Sequence, residues 1–199
     1  MTFRPLHHIC AKKGWINDPN GLVKFKGKYH IFFQHHPYSN EWGPMHWGHV
    51  VSEDLIHYEH LPHALTPGGE MDRDGCFSGS SIVVEDTLYL VYTGFILDKE
   101  NESHNRQIQC LASSKDGVNF TKHGVIIDSN QLPDEFLKTD FRDPSVFKEN
   151  DTYYFGSRSI VQRGKYFHSE KYLLLLLGYG VIVLITLLSL TNIFQNISQ

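Results

Sequence analysis

Cysteine is scarce in this sequence: its 199 residues include three, Cys10, Cys76 and Cys110, and no Cys-x-x-Cys pair. This odd, scattered set argues against a disulfide framework and a zinc knuckle, and it favours a reducing compartment. The N-terminus also lacks the run of about 7 to 15 apolar residues that a secretory signal needs. These absences predict a cytoplasmic protein.

Positive charge is not in excess either, because 18 Lys and Arg stand against 22 Asp and Glu, a net charge of -4. Without a basic stripe to neutralise phosphates, nucleic acid is not expected as a partner. Hydrophobic residues make up 41% of the chain and charged residues 20%, which is typical of a folded globular protein. The length fits one domain, or one and a part.

Charge is absent altogether from residues 172–199. Within them, residues 173–194 read LLLLLGYGVIVLITLLSLTNIF. At about 1.5 Å per helical residue, this run is long enough to cross a hydrocarbon layer about 30 Å thick. One interpretation is a transmembrane helix that anchors the protein, with the N-terminal part in the cytoplasm because Arg163, Lys165 and Lys171 precede the run.

Before this tail, short apolar and aromatic runs alternate with turn residues, as in LVKFKGKYHIFF and SSIVVEDTLYLVYTGF. Such runs predict β-strands, and hairpin turns are expected at residues 26–27, 85–86 and 150–151. No stretch before residue 170 carries a helical period. The expected fold class is therefore all-β.

The strand pattern repeats. Asp18, Ser78 and Asp143 each lie 11 residues before a tyrosine, and a pattern Ser-x-Asp-x-x-x-aromatic begins at Ser52 and again, 62 residues later, at Ser114. A repeat of this length with about four short strands indicates a β-propeller blade. The third Ser-x-Asp is due near residue 176, inside the leucine run. The sequence thus predicts about two and a half blades, where a closed propeller has about four to eight.

Two turn motifs place carboxylates at the start of strands. WINDPNG puts Asp18 near the indole of Trp15, and an Arg-Asp-Pro motif puts Arg142 and Asp143 at the equivalent place in the third unit. Equivalent strand starts converge on one face of a propeller, so these groups would share a pocket. The arrangement suits a glycosidase, because a carboxylate stabilises its oxocarbenium-like transition state.

Residues 4 to about 155 resemble the N-terminal part of the catalytic domain of glycoside hydrolase family 32, the β-fructofuranosidases that include invertases, levanases and sucrose-6-phosphate hydrolases. The resemblance rests on RPLHHICAKKGWINDPNGL, FFQHHP, WGHVVSEDLIHYEHLPHAL, DGCFSGSSIV and FRDPSVF, in family order. It implies part of a five-bladed β-propeller. It also implies retaining hydrolysis of sucrose, sucrose 6-phosphate or a fructan, with no cofactor and no metal.

The same resemblance assigns roles to residues. Asp18 would be the nucleophile that attacks the fructosyl anomeric carbon, and Asp143 would hold the fructose hydroxyls and stabilise the transition state. The substrate-binding residues that we predict are Trp15, Asn17, Gln34, Trp42, Phe77, Ser78 and Arg142.

One part of the family pattern has no counterpart. A retaining glycosidase needs a second carboxyl group to protonate the leaving oxygen, and in this family it is the glutamate of a Glu-Cys-Pro motif after Arg-Asp-Pro. Beyond Asp143 this sequence has only Glu149 and Glu170, in other contexts. We therefore expect a propeller part over residues 1–155, a non-homologous frameshift product over 156–199, and negligible hydrolysis by this chain.

Two alternatives compete with this interpretation. His57, His60 and His63 suggest a zinc site, but Pro62 disfavours a helix there, and on a strand residues three apart point to opposite faces. The other alternative is a non-catalytic fructoside-binding or membrane-anchored module, which would bind sugar without turnover.

Overall fold

The computed structural model describes residues 5, 7–134, 136–150, 152–159, 172–177, 181–186, 188–189 and 194. The first sheet is a four-stranded antiparallel meander of Trp15–Phe25 (β1), Lys28–His36 (β2), His46–Ser52 (β3) and Glu59–Leu65 (β4). The second repeats it with Gly75–Val84 (β5), Thr87–Ile96 (β6), Arg106–Ser114 (β7) and Thr121–Ile127 (β8). The all-β prediction is confirmed.

A third sheet begins in the same way with Arg142–Glu149 (β9) and Thr152–Arg158 (β10). Residues Tyr172–Leu177 (β11) and Val181–Thr186 (β12) pair with each other, and the short strand Leu188–Ser189 (β13) pairs with β10. The helical segments of the described residues are short 3₁₀ turns at Glu102–His104, Ser129–Gln131 and Lys138–Asp140, with Phe194 as an isolated helical position. Two full blades and part of a third agree with the expected partial propeller.

The hairpin turns fall where the sequence predicted them. Each first strand ends one residue before a left-handed residue, namely Lys26 (φ 47°), Glu85 (φ 54°) and Asn150 (φ 53°). Two-residue connections with positive φ match the right-handed twist of antiparallel strands. The turns therefore fix the same register in all three hairpins.

The Ser-x-Asp markers are the turns between the third and fourth strands. The Ser52 hydroxyl accepts a hydrogen bond from the Leu55 N–H at 2.8 Å, and the Ser114 hydroxyl accepts one from the Gly117 N–H at 2.8 Å. Asp54 and Asp116 each accept two further backbone N–H groups of their turn. The Ser-x-Asp repeat of the sequence is thus a repeated hydrogen-bonded turn.

Two buried clusters join neighbouring sheets. Phe32 and Trp47 of the first sheet join Leu90 and Tyr92 of the second in one buried cluster. The alternate residues of β6, Tyr89 and Val91, face the other way and join a second cluster with residues of the third sheet, including Val146 and Phe155. Because successive residues of a strand point to opposite faces, β6 packs against both neighbours.

The expectation of a transmembrane helix over residues 173–194 is wrong for the residues that the structure describes. Apart from the isolated helical position Phe194, they lie in the strands β11, β12 and β13, and no described helix is long and apolar enough to cross a membrane. The physical reason lies in the composition of VIVLIT, residues 181–186, where β-branched side chains favour extended backbone. Residues 178–180, 187 and 190–193 lie outside the described residues.

Candidate active site

The first strands β1, β5 and β9 lie side by side and present equivalent positions to one cavity. Each strand has an irregular register just after its start, between Asn17 and Pro19 in β1, between Phe77 and Gly79 in β5, and after Arg142 in β9. Such bulges re-aim a side chain. The residues at these bulges are Asp18, Ser78 and Asp143.

The backbone at the two carboxylates is unusual. Asp18 has φ 23° and Asp143 has φ 56°, values that non-glycine residues seldom adopt. The Ser78 hydroxyl donates a hydrogen bond to Oδ2 of Asp18 at 3.1 Å. A strained conformation held by a neighbouring sheet is a feature of functional sites.

A cavity of about 320 Å³ opens where these strands meet. It brings together eight of the nine predicted site residues: Asn17, Asp18, Gln34, Trp42, Phe77, Ser78, Arg142 and Asp143. Trp15 is not part of its lining, and its indole Nε1 donates instead to Oδ1 of Asn17 at 2.7 Å. In the structure Trp15 is therefore an exposed partner of the lining residue Asn17.

Phe95 and Trp47 support the apolar wall of the cavity. The Phe77 ring stacks on Phe95 with a centroid separation of 4.5 Å, and the indole of buried Trp47 donates to the Phe77 carbonyl at 3.0 Å. Trp42 meets the edge of Phe77 at 5.9 Å and is 55% exposed. Two aromatic rings beside polar groups suit a ligand with both C–H faces and hydroxyls.

The charged wall holds two guanidinium groups and two carboxylates. Arg142 lies 2.5 Å from Oδ1 of Asp140 and 4.0 Å from Oδ2 of Asp143. Burial raises the pKa of the Asp143 carboxyl above its ordinary value, Arg158 and Arg142 oppose that rise, and Asp18 and Asp140 add to it. Desolvation and the two neighbouring carboxylates thus outweigh the two arginines, and the pKa of Asp143 remains raised.

Two residues of the lining were missed in the sequence, Met45 and Arg158. Met45 is buried, and its carbonyl accepts a hydrogen bond from the Cys76 N–H at 2.8 Å. Nothing in the sequence around Met45 marks it as a site residue. The position of Arg158 could have been predicted from the sequence. It is the seventh residue of β10, the position that Gln34 holds in β2, so counting from the hairpin turns would have found it.

The described residues contain no group of three or more His, Cys, Asp or Glu side chains able to hold a metal ion. His57 lies 2.6 Å from Oδ2 of Asp54 in an exposed turn, whereas His63 contacts His35 at 2.8 Å inside the first sheet. The histidines that suggested zinc therefore lie in different surroundings.

Comparison with known proteins agrees with the sequence motifs. Residues 8–168 match the model of the glycosyl hydrolases family 32 N-terminal domain. The chain belongs to glycoside hydrolase family 32. A sucrose-6-phosphate hydrolase of Escherichia coli is 51% identical over 155 residues, which are 77% of this chain and 31% of that protein.

Two further proteins are similar to this chain. A raffinose invertase of Escherichia coli is 46% identical over 168 residues, 82% of this chain and 34% of that protein. A mutant of a Bombyx mori family 32 β-fructofuranosidase, solved in complex with sucrose, is 38% identical at a TM-score of 0.72, covering 94% of this chain and 38% of that one. The chain thus spans about a third of the length of the curated relatives it matches.

Proposed function

We propose that this chain forms the nucleophile-bearing part of a β-fructosidase active site. The observation that carries the proposal is that Asp18 and Asp143, at equivalent bulges of β1 and β9, line one cavity with sugar-compatible aromatic rings. In this proposal Asp18 is the nucleophile, and Asp143 with Arg142 holds the fructose hydroxyls. Asn17, Gln34, Trp42, Phe77 and Ser78 form the remaining walls.

The proposed step is a displacement at the fructosyl anomeric carbon. A carboxylate oxygen of Asp18 forms a bond to that carbon, the bond from the carbon to the glycosidic oxygen breaks, and this oxygen leaves with the electron pair. The leaving oxygen then needs a proton. Both carboxyl groups of the described lining, Asp18 and Asp143, already have other roles.

We therefore propose that hydrolysis by this chain alone is negligible. General acid catalysis typically contributes about 10² to 10⁴-fold in rate, and without it an alkoxide is a poor leaving group. A substrate whose leaving group needs no proton bypasses this requirement. Fructosyl transfer from such a substrate to Asp18 is the activity that the cavity can support.

For the natural substrate we propose a fructoside of the sucrose type, with sucrose 6-phosphate ahead of sucrose and fructans. Support comes from the name of the Escherichia coli relative, sucrose-6-phosphate hydrolase, and from the sucrose complex of the Bombyx mori enzyme. Phosphorylated sugars arise inside cells by phosphorylating import, so we also propose the cytoplasm as the place of action. The sequence alone predicted a frameshift product over residues 156–199, but the family match extends to residue 168 and β10 ends at Arg158. We therefore propose a frameshift product for the part beyond that match, since no charge occurs after residue 171.

The test uses β-fructofuranosyl fluoride, because fluoride leaves without protonation. We expect one equivalent of fluoride to be released and one fructosyl group to appear by mass spectrometry on the peptide that contains Asp18. The Asp18→Asn variant is expected to show neither, while Asp134→Asn, at an exposed carboxylate paired with Lys138, retains both.

The same assay separates the second candidate function, a non-catalytic fructoside-binding module. The observation that favours it is that the described cavity lining contains no glutamate. Heat of sucrose or fructose binding by calorimetry, with no fluoride released and no adduct on Asp18, would establish the binding module and remove the nucleophile proposal.

A further inference from the structure

The register of the three hairpins identifies one more position at the site. The residue opposite the start of each bulge is Gln34 in β2, Thr93 in β6 and Arg158 in β10, paired with Asn17, Phe77 and Arg142 respectively. All three are the seventh residue of their strand. Arg158 is therefore the third-sheet equivalent of Gln34.

Gln34 and Thr93 have the same structural role. The Gln34 amide donates to the Cys76 carbonyl at 3.1 Å, and the Thr93 hydroxyl accepts the Asp143 N–H at 3.2 Å. Each side chain thus reaches from the second strand of its sheet to the first strand of the next sheet. Positions of this kind fix the strands that carry the cavity residues.

Arg158 makes its contacts within the cavity itself. Its Nε lies 3.9 Å from Oδ2 of Asp143, and its terminal nitrogen lies 3.7 Å from Oδ1 of Asp140. Its side chain is 36% exposed and lines the cavity. Arg142, the arginine of the sequence motif, has its close contact, at 2.5 Å, with Asp140 rather than with Asp143.

The charges that face Asp143 come from four elements. Asp18 is on β1, Asp140 ends a 3₁₀ turn, Arg142 is on β9 and Arg158 is on β10. Two carboxylates and partial burial oppose ionisation of Asp143, and two guanidinium groups favour it. Removing Arg158 would leave Arg142, already paired with Asp140, as the single cation beside the three carboxylates of Asp18, Asp140 and Asp143.

We propose that Arg158 is a positioning residue of this site, whose guanidinium holds the Asp143 carboxylate in place as a hydrogen-bond acceptor for the sugar. The proposal rests on the proposed function for its sugar, but the contact between Arg158 and Asp143 does not. A carboxylate accepts hydrogen bonds from hydroxyls through both oxygens, whereas a protonated carboxyl group has one oxygen that donates. Arg158 thereby preserves the acceptor form.

The first test needs no sugar. The carboxyl carbon of Asp143 is titrated by NMR in the wild type, Arg158→Gln, Arg158→Lys and the control Arg106→Gln, whose arginine pairs with Asp128 at 2.6 Å. We expect the midpoint to rise in Arg158→Gln and to return toward the wild-type value in Arg158→Lys. A midpoint that is the same in all four proteins would overturn the proposal.

The second test measures fructose binding by calorimetry from pH 4 to 8. We expect Arg158→Gln to lose affinity at a higher pH than the wild type does, with recovery at pH 8, whereas a structural defect would weaken binding equally at every pH. If the wild type binds no fructoside while the NMR midpoint still moves, the proposed function fails and the Arg158 contact stands. If the wild type binds and Arg158→Gln binds with the same pH profile, the positioning role fails and the function stands.

Discussion

At the scale of single residues, Asp72 is a fully buried carboxylate. Its carboxylate pairs with Lys122 and accepts hydrogen bonds from the Tyr92 hydroxyl at 2.8 Å and the Gly69 N–H at 3.0 Å. Burial alone would raise the pKa of Asp72, but the hydrogen bonds from Lys122 and Tyr92 outweigh it and lower the pKa. Asp72 is therefore an ionised partner inside the core.

Replacing Asp72 by Ala should destabilise the fold by about 3 to 5 kcal/mol, since Lys122 would keep its charge and the Thr66 carbonyl as an acceptor but lose its carboxylate partner. Tyr92→Phe removes one donor and should cost about 1 kcal/mol. Urea unfolding followed by tryptophan fluorescence measures both changes. If Asp72→Ala unfolds within about 0.5 kcal/mol of the wild type, which is the range of ordinary surface substitutions, the carboxylate has no structural role.

At the scale of elements, the matched turns after β3 and β7 have different residues at the position with left-handed backbone. Leu55 has φ 63° and is 47% exposed, whereas the equivalent residue in the second turn is Gly117 with φ 78°. Left-handed backbone costs an L-residue about 1 to 2 kcal/mol, and glycine in exchange loses about 0.5 to 1 kcal/mol of chain entropy. Leu55 is thus a strained residue in a turn built for glycine.

We expect Leu55→Gly to stabilise the chain by about 0.5 to 1 kcal/mol and Gly117→Ala to destabilise it by at least as much. A Cβ at Gly117 would stand 2.7 Å from Cε1 of His30 as well as in strained backbone. The urea midpoints of the two variants should move in opposite directions at an unchanged slope. Movement in the same direction would show that the two turns are not equivalent.

Much of the element scale could be predicted from the sequence, because turns are local. Left-handed backbone at Lys26, Glu85 and Asn150 marks the hairpin turns, and the Ser-x-Asp turns carry their own hydrogen bonds. Arg158 was not predicted as a site residue, because its place depends on pairing with Arg142 across a hairpin and not on a motif. Trp15 was placed in the site because of its neighbours in sequence, but its indole turns to Asn17.

The apolar tail shows the limit of periodicity. Residues 172–177 read YLLLLL, and an unbroken apolar run is compatible with a buried strand as well as with a helix. The β-branched residues of β12 favour a strand, and the pairing of β11 with β12 and of β13 with β10 gives the rest of the tail its strand structure. Phe194 is buried in the cluster that joins the second and third sheets, which no local signal indicated.

At the scale of the whole molecule, buried histidines are distributed unevenly. His30, His35, His36, His46 and His49 are all buried, and all belong to the first sheet. Burial lowers the pKa of His49 to about 3, and burial with the neighbouring His46 and His35 lowers that of His63 to about 4. Within the described part of the second sheet, His123 is an exposed residue whose pKa is lowered by partial desolvation.

These shifts give the stability of the first sheet a definite pH dependence. A histidine with a lowered folded-state pKa binds a proton more readily when unfolded, so its contribution is complete above the unfolded value of about 6.5 and is lost as the pH falls below it. For His49, which is 1% exposed, the loss at pH 5 is about 2 kcal/mol. Acid should therefore weaken the first sheet before the second.

Hydrogen exchange read by mass spectrometry at pH 7.5 and pH 5, corrected for the intrinsic exchange rate, tests this order. We expect peptides from β2 and β3 to lose protection at pH 5 while peptides from β6 and β7 retain it. The loss should be smaller in His49→Phe, which keeps an aromatic ring against Phe32, and unchanged in the control His8→Gln at an exposed site. Because Asp18 and Gln34 belong to the first sheet, acid would then open the cavity from that side, and simultaneous loss of protection in both sheets would mean that the blades unfold as one cooperative unit.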